Sequence, residues 1–108
     1  MNKYVVILSN KAKGTLKEAL LFEHVEHLKL LKKQGKLFIC GPFEDNDNAI
    51  QIIIAKNKRE AEEIILSDPF IVNHYYRDFS ISTLIEANDE NNYLMEDTQT
   101  KLNKYNKK

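Results

Sequence analysis

Apolar and polar positions follow two different periods along the first third of the chain. Residues 4–8 are apolar at every position and β-branched in the middle, which is typical of a central strand covered on both faces. Farther on, apolar side chains recur every three or four residues and charged ones fall on the opposite side. This apolar stripe consists of Leu16, Leu20, His24, His27, Leu28 and Leu31. The pattern predicts a strand followed by an amphipathic helix.

Local signals predict where this first helix begins and ends. Residues 9–14 are polar and predict a loop. Thr15 and Glu18 have the spacing of a capping box, so we expect the helix to begin there. Gly35 is expected to end it, because glycine readily adopts the left-handed conformation that follows many helices.

Two further apolar runs are separated by a polar segment. Residues 37–40 predict a strand that ends in a turn at Gly41-Pro42, since proline has a fixed φ and no N–H to donate. The polar residues 44–48 predict a hairpin connection. Residues 49–55 predict a third strand that is apolar on both faces, with only Gln51 interrupting.

The remaining elements complete a recognisable order. Residues 58–66 predict a second helix with Ala61, Ile64 and Ile65 facing inward, and residues 75–84 alternate as a half-buried strand does. The order β-α-β-β-α-β predicts an α+β, ferredoxin-like fold, with two helices on one face of a four-stranded antiparallel sheet. The other sheet face would expose an apolar patch larger than soluble monomers usually tolerate. We therefore expect a homodimer closed sheet against sheet.

Residues 1–86 are expected to form one domain, followed by a polar tail. Residues 87–108 are rich in asparagine and lysine and poor in large apolar groups, which favours a partly ordered segment. A short docking helix is the alternative, and its apolar residues would be Tyr93, Leu94, Met95 and Leu102.

Composition narrows the classes of partner. Sixteen basic and sixteen acidic residues give a formal net charge of zero, without the basic patch expected of a nucleic-acid-binding protein. The apolar runs are too short to span a bilayer, so no membrane partner is expected. The single cysteine, Cys40, excludes an intramolecular disulfide, and no secretory leader pattern opens the chain. The expected location is the cytoplasm.

Several short motifs in a fixed order resemble the YciI-like (YCII-related) family of the dimeric α/β-barrel group. The resemblance covers roughly residues 3–84. The matching features are the first strand, His24, the eleven-residue step to Gly35, Lys36-Leu37, Gly41-Pro42, and Glu60-Ala61 leading to Asp68-Pro69-Phe70. Muconolactone-isomerase-like and antibiotic-monooxygenase-like proteins share the same frame and are the alternatives at the level of the fold.

The resemblance implies a catalytic pair formed by His24 and Asp68, in a pocket between the sheet and the first helix. A neutral imidazole can accept a proton near pH 7, and a carboxylate beside it can fix its tautomer. The pair would act without a cofactor or a metal, as a lyase (dehydrochlorinase) or an isomerase on a small organic substrate. Gly41, Pro42 and Phe70 are the expected substrate-binding residues at the pocket rim and wall.

Each of these residues also has an ordinary structural interpretation. His24 can be a core histidine bonded to a backbone carbonyl, and Gly41-Pro42 can simply end a strand. Asp68 before Pro69 is a common N-cap pair, so the aspartate can cap a short turn. The second functional class is therefore a non-catalytic module that binds a small ligand or a protein partner on the same fold.

A metal site is the least supported chemistry. His27 lies one helical turn from His24, which is a spacing that two ligands on one helix face can use. Glu23 and His74 are available as further ligands, but nothing in their spacing forces them to converge. We expect no metal, and we expect Cys40 to behave as a small apolar residue.

Overall fold

One four-stranded antiparallel sheet organises the computed structural model, which describes residues 1–95. Its strands are β1 (Asn2–Lys11), β2 (Leu37–Pro42), β3 (Ala49–Ala55) and β4 (Tyr76–Leu84). Its helices are α1 (Glu18–Lys33), α2 (Lys58–Leu66) and α3 (Pro69–Val72). The strands lie in the order β2-β3-β1-β4, and every neighbouring pair is antiparallel. The predicted ferredoxin-like arrangement is confirmed.

The core lies on the sheet face that the helices cover. Alternate residues of β1 and β3 point to this covered face, as the two-residue period of a strand requires. They pack with the three apolar residues of α2 predicted to face inward. The buried strand residues are Tyr4, Val6, Leu8, Ala49, Gln51, Ile53 and Ala55.

The opposite face of the sheet, called the open face below, is also largely apolar. Val5 and Ile7 of β1 alternate with the buried residues and are only half-buried. The same holds for Ile50, Ile52 and Ile54 of β3. Within residues 1–95, every helix with a buried face packs into the core on the covered side. Contiguous apolar patches on protein surfaces are typical of interaction sites.

The end of α1 follows the sequence prediction. Gly35 has φ of +75°, a left-handed conformation that glycine adopts without steric cost. Its N–H donates to the carbonyl of Lys32 (3.0 Å), and the N–H of Lys36 donates to the carbonyl of Leu31 (2.8 Å). This pair of hydrogen bonds is a Schellman motif, which satisfies the last carbonyls of the helix.

The beginning of α1 differs from the prediction. The predicted capping box of Thr15 and Glu18 is wrong, because the helix begins at Glu18 with Lys17 at the N-cap and no side-chain cap. The predicted loop at residues 9–14 is also shorter, since β1 continues to Lys11. Pairing with β4 continues past an irregularity at Asn10, where φ is +56°, as far as Ala12, whose N–H donates to the carbonyl of Tyr75 (2.7 Å). The strand therefore takes up part of the predicted loop, and the helix begins without the predicted cap.

The segment after β4 is only partly described. A 3₁₀ segment spans Asp89–Leu94. The side chains of Tyr93, within it, and of Met95, just after it, are exposed. Leu102, the last residue of the predicted docking helix, lies outside the described residues, so that helix stays a prediction. No helix within residues 1–95 is long and apolar enough to cross a membrane.

Candidate active site

Asp68 lies at the junction of α2 and α3 and caps the shorter helix. Its backbone is extended, and its Oδ1 accepts a hydrogen bond from the N–H of Phe70 at 2.9 Å. Pro69 occupies the first helical position, where a missing N–H costs nothing. The capping interpretation of Asp68 is confirmed. The carboxylate is nonetheless unusual for a cap, because none of the residue is exposed to solvent.

The same carboxylate joins two distant elements. Nδ1 of His24, on α1, lies 2.8 Å from Oδ1 of Asp68. Nε2 of Gln51, on β3, donates to Oδ2 of Asp68 at 2.8 Å. The helix–helix junction, the first helix and the sheet therefore meet at one buried group, and the two residues of the predicted pair are in direct hydrogen-bond contact.

These contacts determine the charge of Asp68. Burial alone raises the pKa of its carboxyl group, but hydrogen bonds from His24 and Gln51, the charge of His24 and the N–H of Phe70 outweigh it. The pKa of Asp68 is therefore below its ordinary value, and the group is ionised at neutral pH. An ionised carboxylate only accepts hydrogen bonds, so Nδ1 of His24 carries a hydrogen. In the neutral imidazole, the free lone pair is then on Nε2.

The imidazole of His24 is held in a second direction by an aromatic ring. It stacks on Phe70 with ring centroids 3.7 Å apart and an angle of 6° between the planes. The side chain keeps 13% of its surface exposed, and it lines a cavity. Nε2 makes no hydrogen bond to any described residue. Nε2 is therefore without a hydrogen-bond partner among the described residues, while Nδ1 and one face of the ring are held by Asp68 and Phe70.

The cavity beside His24 lies between α1 and the sheet and has a volume of about 390 Å³. Gly41, Pro42 and Phe70, the three predicted substrate-binding residues, all line it. Most other lining residues are apolar or aromatic, among them Leu8, Leu16, Val25, Leu28, Tyr75 and Tyr76. A small, mostly apolar cavity with a few polar groups is typical of a site for a small organic molecule.

Two polar residues of the site escaped the sequence reasoning. Gln51 is 2% exposed, and its Oε1 is buried without a hydrogen-bond partner in the described part of the chain. Its signal was visible as the one polar residue in an apolar strand. Lys11 was assigned to a loop, but it ends β1 and lines the cavity. Its signal was weaker, because a single lysine after a strand is ordinary.

The remaining candidates from the sequence are the possible metal ligands and Cys40. Burial lowers the pKa of His27, Asp68 opposes this effect and His24 adds to it. Glu23 and His74 line a separate depression, and residues 1–95 contain no cluster of three potential metal ligands. Cys40 lines the main cavity, where burial raises the pKa of its thiol and favours the protonated form.

Comparison with known proteins identifies the family. The family model described as the YCII-related domain matches residues 3–85. The chain belongs to the YCII-related domain family. The match covers the sheet apart from Asn2, all three helices and every residue of the site, and it confirms the family predicted from the motifs.

A solved structure supports the same fold for this YCII-related protein. The 5-chloro-2-hydroxyhydroquinone dehydrochlorinase TftG from Burkholderia phenoliruptrix AC1100, in complex with 2,5-dihydroxybenzoquinone, superimposes with a TM-score of 0.57. The alignment covers 82% of this chain and 97% of that one, at 14% identity. At this identity the likeness concerns the fold alone. No curated protein sequence matches the chain.

Proposed function

We propose that this YCII-related protein is a cofactor-independent enzyme of the lyase or isomerase type, with His24 as general base and Asp68 as its orienting partner. The observation that carries the proposal is the 2.8 Å contact between Nδ1 of His24 and the buried, ionised Asp68. This contact leaves the lone pair of Nε2 beside a cavity that can admit a small molecule.

The proposed step is a proton transfer. Nε2 of His24 takes a proton from the substrate, and the electron pair of the broken bond forms a new π bond. In the lyase version, chloride or another leaving group departs with its own electron pair. In the isomerase version, the imidazolium returns the proton to a different atom of the substrate. The negative charge of Asp68 stabilises the imidazolium in both versions.

The walls of the cavity are consistent with a small cyclic or aromatic substrate. Phe70 and Tyr75 contribute aromatic rings to the lining, and Gly41 and Pro42 contribute residues of β2. The fold neighbour TftG is a dehydrochlorinase whose complex contains 2,5-dihydroxybenzoquinone. We propose the same general class of substrate here, a ring that carries oxygen substituents and an acidic hydrogen.

Proton abstraction is testable without knowing the substrate. The protein is incubated in deuterium oxide with a panel of chlorinated and unchlorinated hydroxyquinones, and deuterium incorporation and chloride release are measured. We expect wild type to act on a member of the panel and His24→Asn to lose at least about 100-fold in rate, as expected for loss of a general base. His74→Asn is the matched control, because His74 is exposed and has φ of +59°, which asparagine tolerates.

Two outcomes would contradict the enzymatic proposal. Equal rates in wild type and His24→Asn would remove His24 as the base. Saturable binding of panel compounds without exchange or chloride release would favour the alternative, a non-catalytic module that binds a small ligand. Unfolding curves of both variants show whether a lost rate reflects lost structure, since a His24→Asn protein that is folded under assay conditions yet inactive supports a catalytic role.

We also propose that the protein is a homodimer in which two open faces pack against each other. The support is chemical: the open face presents half-buried isoleucine and valine side chains on neighbouring strands, together with exposed Phe38 and Ile39. Burial of such a surface is the usual driving force for association. Size-exclusion chromatography with light scattering is expected to return twice the chain mass, and a monomer at micromolar concentration would refute the proposal.

A further inference from the structure

Lys11 and Tyr76 place two hydrogen-bond donors at one end of the cavity. They are direct cross-strand partners where β1 meets β4, and both line the cavity that contains His24. Pairing with β4 holds Lys11 in a strand, so its position is set by the sheet and not by a mobile loop. The sequence reasoning assigned no role to Lys11, and it left the orientation of the Tyr76 hydroxyl open.

The cavity lining carries a positive charge and no negative one among the described residues. Among the described residues that line it, Lys11 is the only one with a permanent charge, and none is a carboxylate. Asp68 lies behind His24 and is fully engaged by its three donors. A cation beside apolar walls attracts an anion more strongly than the same cation in open water. The cavity is therefore suited to a negatively charged ligand.

Among the described residues, the anion paired with Lys11 is weakly held. Asp47, on the connection between β2 and β3, lies 3.5 Å from the ammonium of Lys11 and keeps 83% of its side chain exposed. Exposed ion pairs of this kind contribute little free energy. A ligand oxygen that reaches Lys11 from inside the cavity therefore competes with a weak partner.

Tyr76 supplies the second donor. Burial, the neighbouring Tyr75 and the charge of Asp47 all raise the pKa of its phenol, so the hydroxyl keeps its hydrogen at neutral pH. That hydroxyl makes no hydrogen bond to any described residue. An ammonium and a phenolic O–H on adjacent strands are a suitable pair for one oxyanion.

We infer that the cavity selects planar organic anions, whose ionised oxygen binds Lys11 and Tyr76 while the ring lies against Phe70 and Tyr75 beside His24. This inference rests on the proposed function, because it names the class of substrate for the same site. The ligand is a ring that bears a carboxylate, phenolate or enolate oxygen. Lys11 and Tyr76 act as specificity residues, and the base remains His24.

Benzoate and benzamide are suitable probes because they have nearly the same shape and differ in charge. Their dissociation constants are measured by NMR titration of the full chain at neutral pH. We expect wild type to bind benzoate roughly tenfold more tightly than benzamide, as one charge-assisted hydrogen bond would give. Lys11→Met is expected to remove this preference and leave benzamide binding unchanged. Lys29→Met is the control, since it makes the same charge change on the exposed side of α1.

Two more variants test the arrangement of charges. Asp47→Asn removes the competitor of Lys11 and is expected to tighten benzoate binding about twofold, while Tyr76→Phe is expected to weaken it severalfold. Looser binding in Asp47→Asn, or no change in Tyr76→Phe, would contradict the assigned geometry.

The inference and the proposed function fail in different ways. Equal affinity for both probes in wild type would overturn the anion selectivity, and an unchanged preference in Lys11→Met would overturn Lys11 as its cause. Either result would leave the His24 chemistry intact. Loss of proton exchange in His24→Asn, with the benzoate preference retained, would support both. If neither probe shifted cavity resonances at millimolar concentration, the ligand site and its selectivity would be overturned together.

Discussion

Ile52 and Ile53 are consecutive residues of the same type on β3, yet they lie in opposite environments. Ile53 is fully buried on the covered face, next to the strand position of Gln51 in the site. Ile52 points to the open face and is half-buried in the single chain. Because successive side chains alternate across a sheet, one strand serves an internal core and an external surface.

The two faces of the sheet differ in the kinds of side chain that they carry. The covered face combines the core with a polar group, Asp68, whose three donors come from three different elements. The open face carries apolar residues and no such buried polar network among the described residues. The core and the proposed site therefore share the covered face, and we propose that association uses the open face.

The largest effect on stability is expected on the covered face. Ile53→Ala leaves a cavity in a closed core and should lower the free energy of unfolding by about 4 kcal/mol. Ile52→Ala, at concentrations where the chain is monomeric, should lower it by about 1 kcal/mol, since a half-exposed side chain loses less burial. Urea unfolding of both variants measures the difference. Equal losses would mean that the two faces are equally closed within one chain.

A charge on the open face should act on association. Ile52→Asp would bury an unpaired carboxylate between two chains, so we expect the dimer to weaken by at least about 100-fold, or roughly 3 kcal/mol. Light scattering over a concentration series provides the measurement. Leu66→Asp is the matched control, because Leu66 is an exposed apolar residue of α2. Similar behaviour of the two variants would argue against a sheet-to-sheet dimer.

The polar network should be sensitive to acid. The pKa of Asp68 is lowered on folding, so the unfolded chain binds its proton first as pH falls. Its contribution is present above the ordinary aspartate pKa of about 3.9 and is lost below it. Asp68→Asn is expected to lower the free energy of unfolding by about 2 kcal/mol at neutral pH and to make its decline in acid less steep. Asp78→Asn, on an exposed part of β4, is the control and should show the same decline in acid as wild type.

The smallest effect is expected from His27. Burial lowers its pKa, so the unfolded chain binds a proton that the folded chain resists as pH falls past about 6.5. Wild-type stability should therefore decline slightly between pH 7.5 and pH 5, and His27→Gln should decline less. Thermal unfolding across this pH range compares the two. A steeper decline in the variant would show that His27 is protonated in the fold.

The sequence predicted elements best where local and tertiary signals agree. The bounds of α2, residues 58–66, were exact, because an amphipathic pattern follows Asn57, whose side chain accepts the N–H of Glu60. The predicted start of α1 was wrong. The Thr15–Glu18 spacing is a local signal, whereas the extension of β1 depends on its pairing with β4, which is distant in sequence. A periodicity argument cannot detect a strand that continues through polar residues such as Asn10.

The site was predictable in part for a similar reason. His24 was visible on its apolar stripe and Asp68 before its proline, but their contact depends on how α1 crosses the junction of α2 and α3. That placement is a property of the folded chain. Gln51 shows the limit, since a lone polar residue in a buried strand signals a partner without naming it.

The stacking of His24 on Phe70 has a consequence for any turnover that uses this base. One face of the imidazole stacks on Phe70, and Nδ1 is hydrogen-bonded to the buried carboxylate of Asp68. Nε2 is therefore the nitrogen that can exchange protons, and His24 lines the cavity. A proton taken at Nε2 must leave by the same route. The proposed base would therefore either return its proton to the bound molecule or release it through the cavity after the product has left.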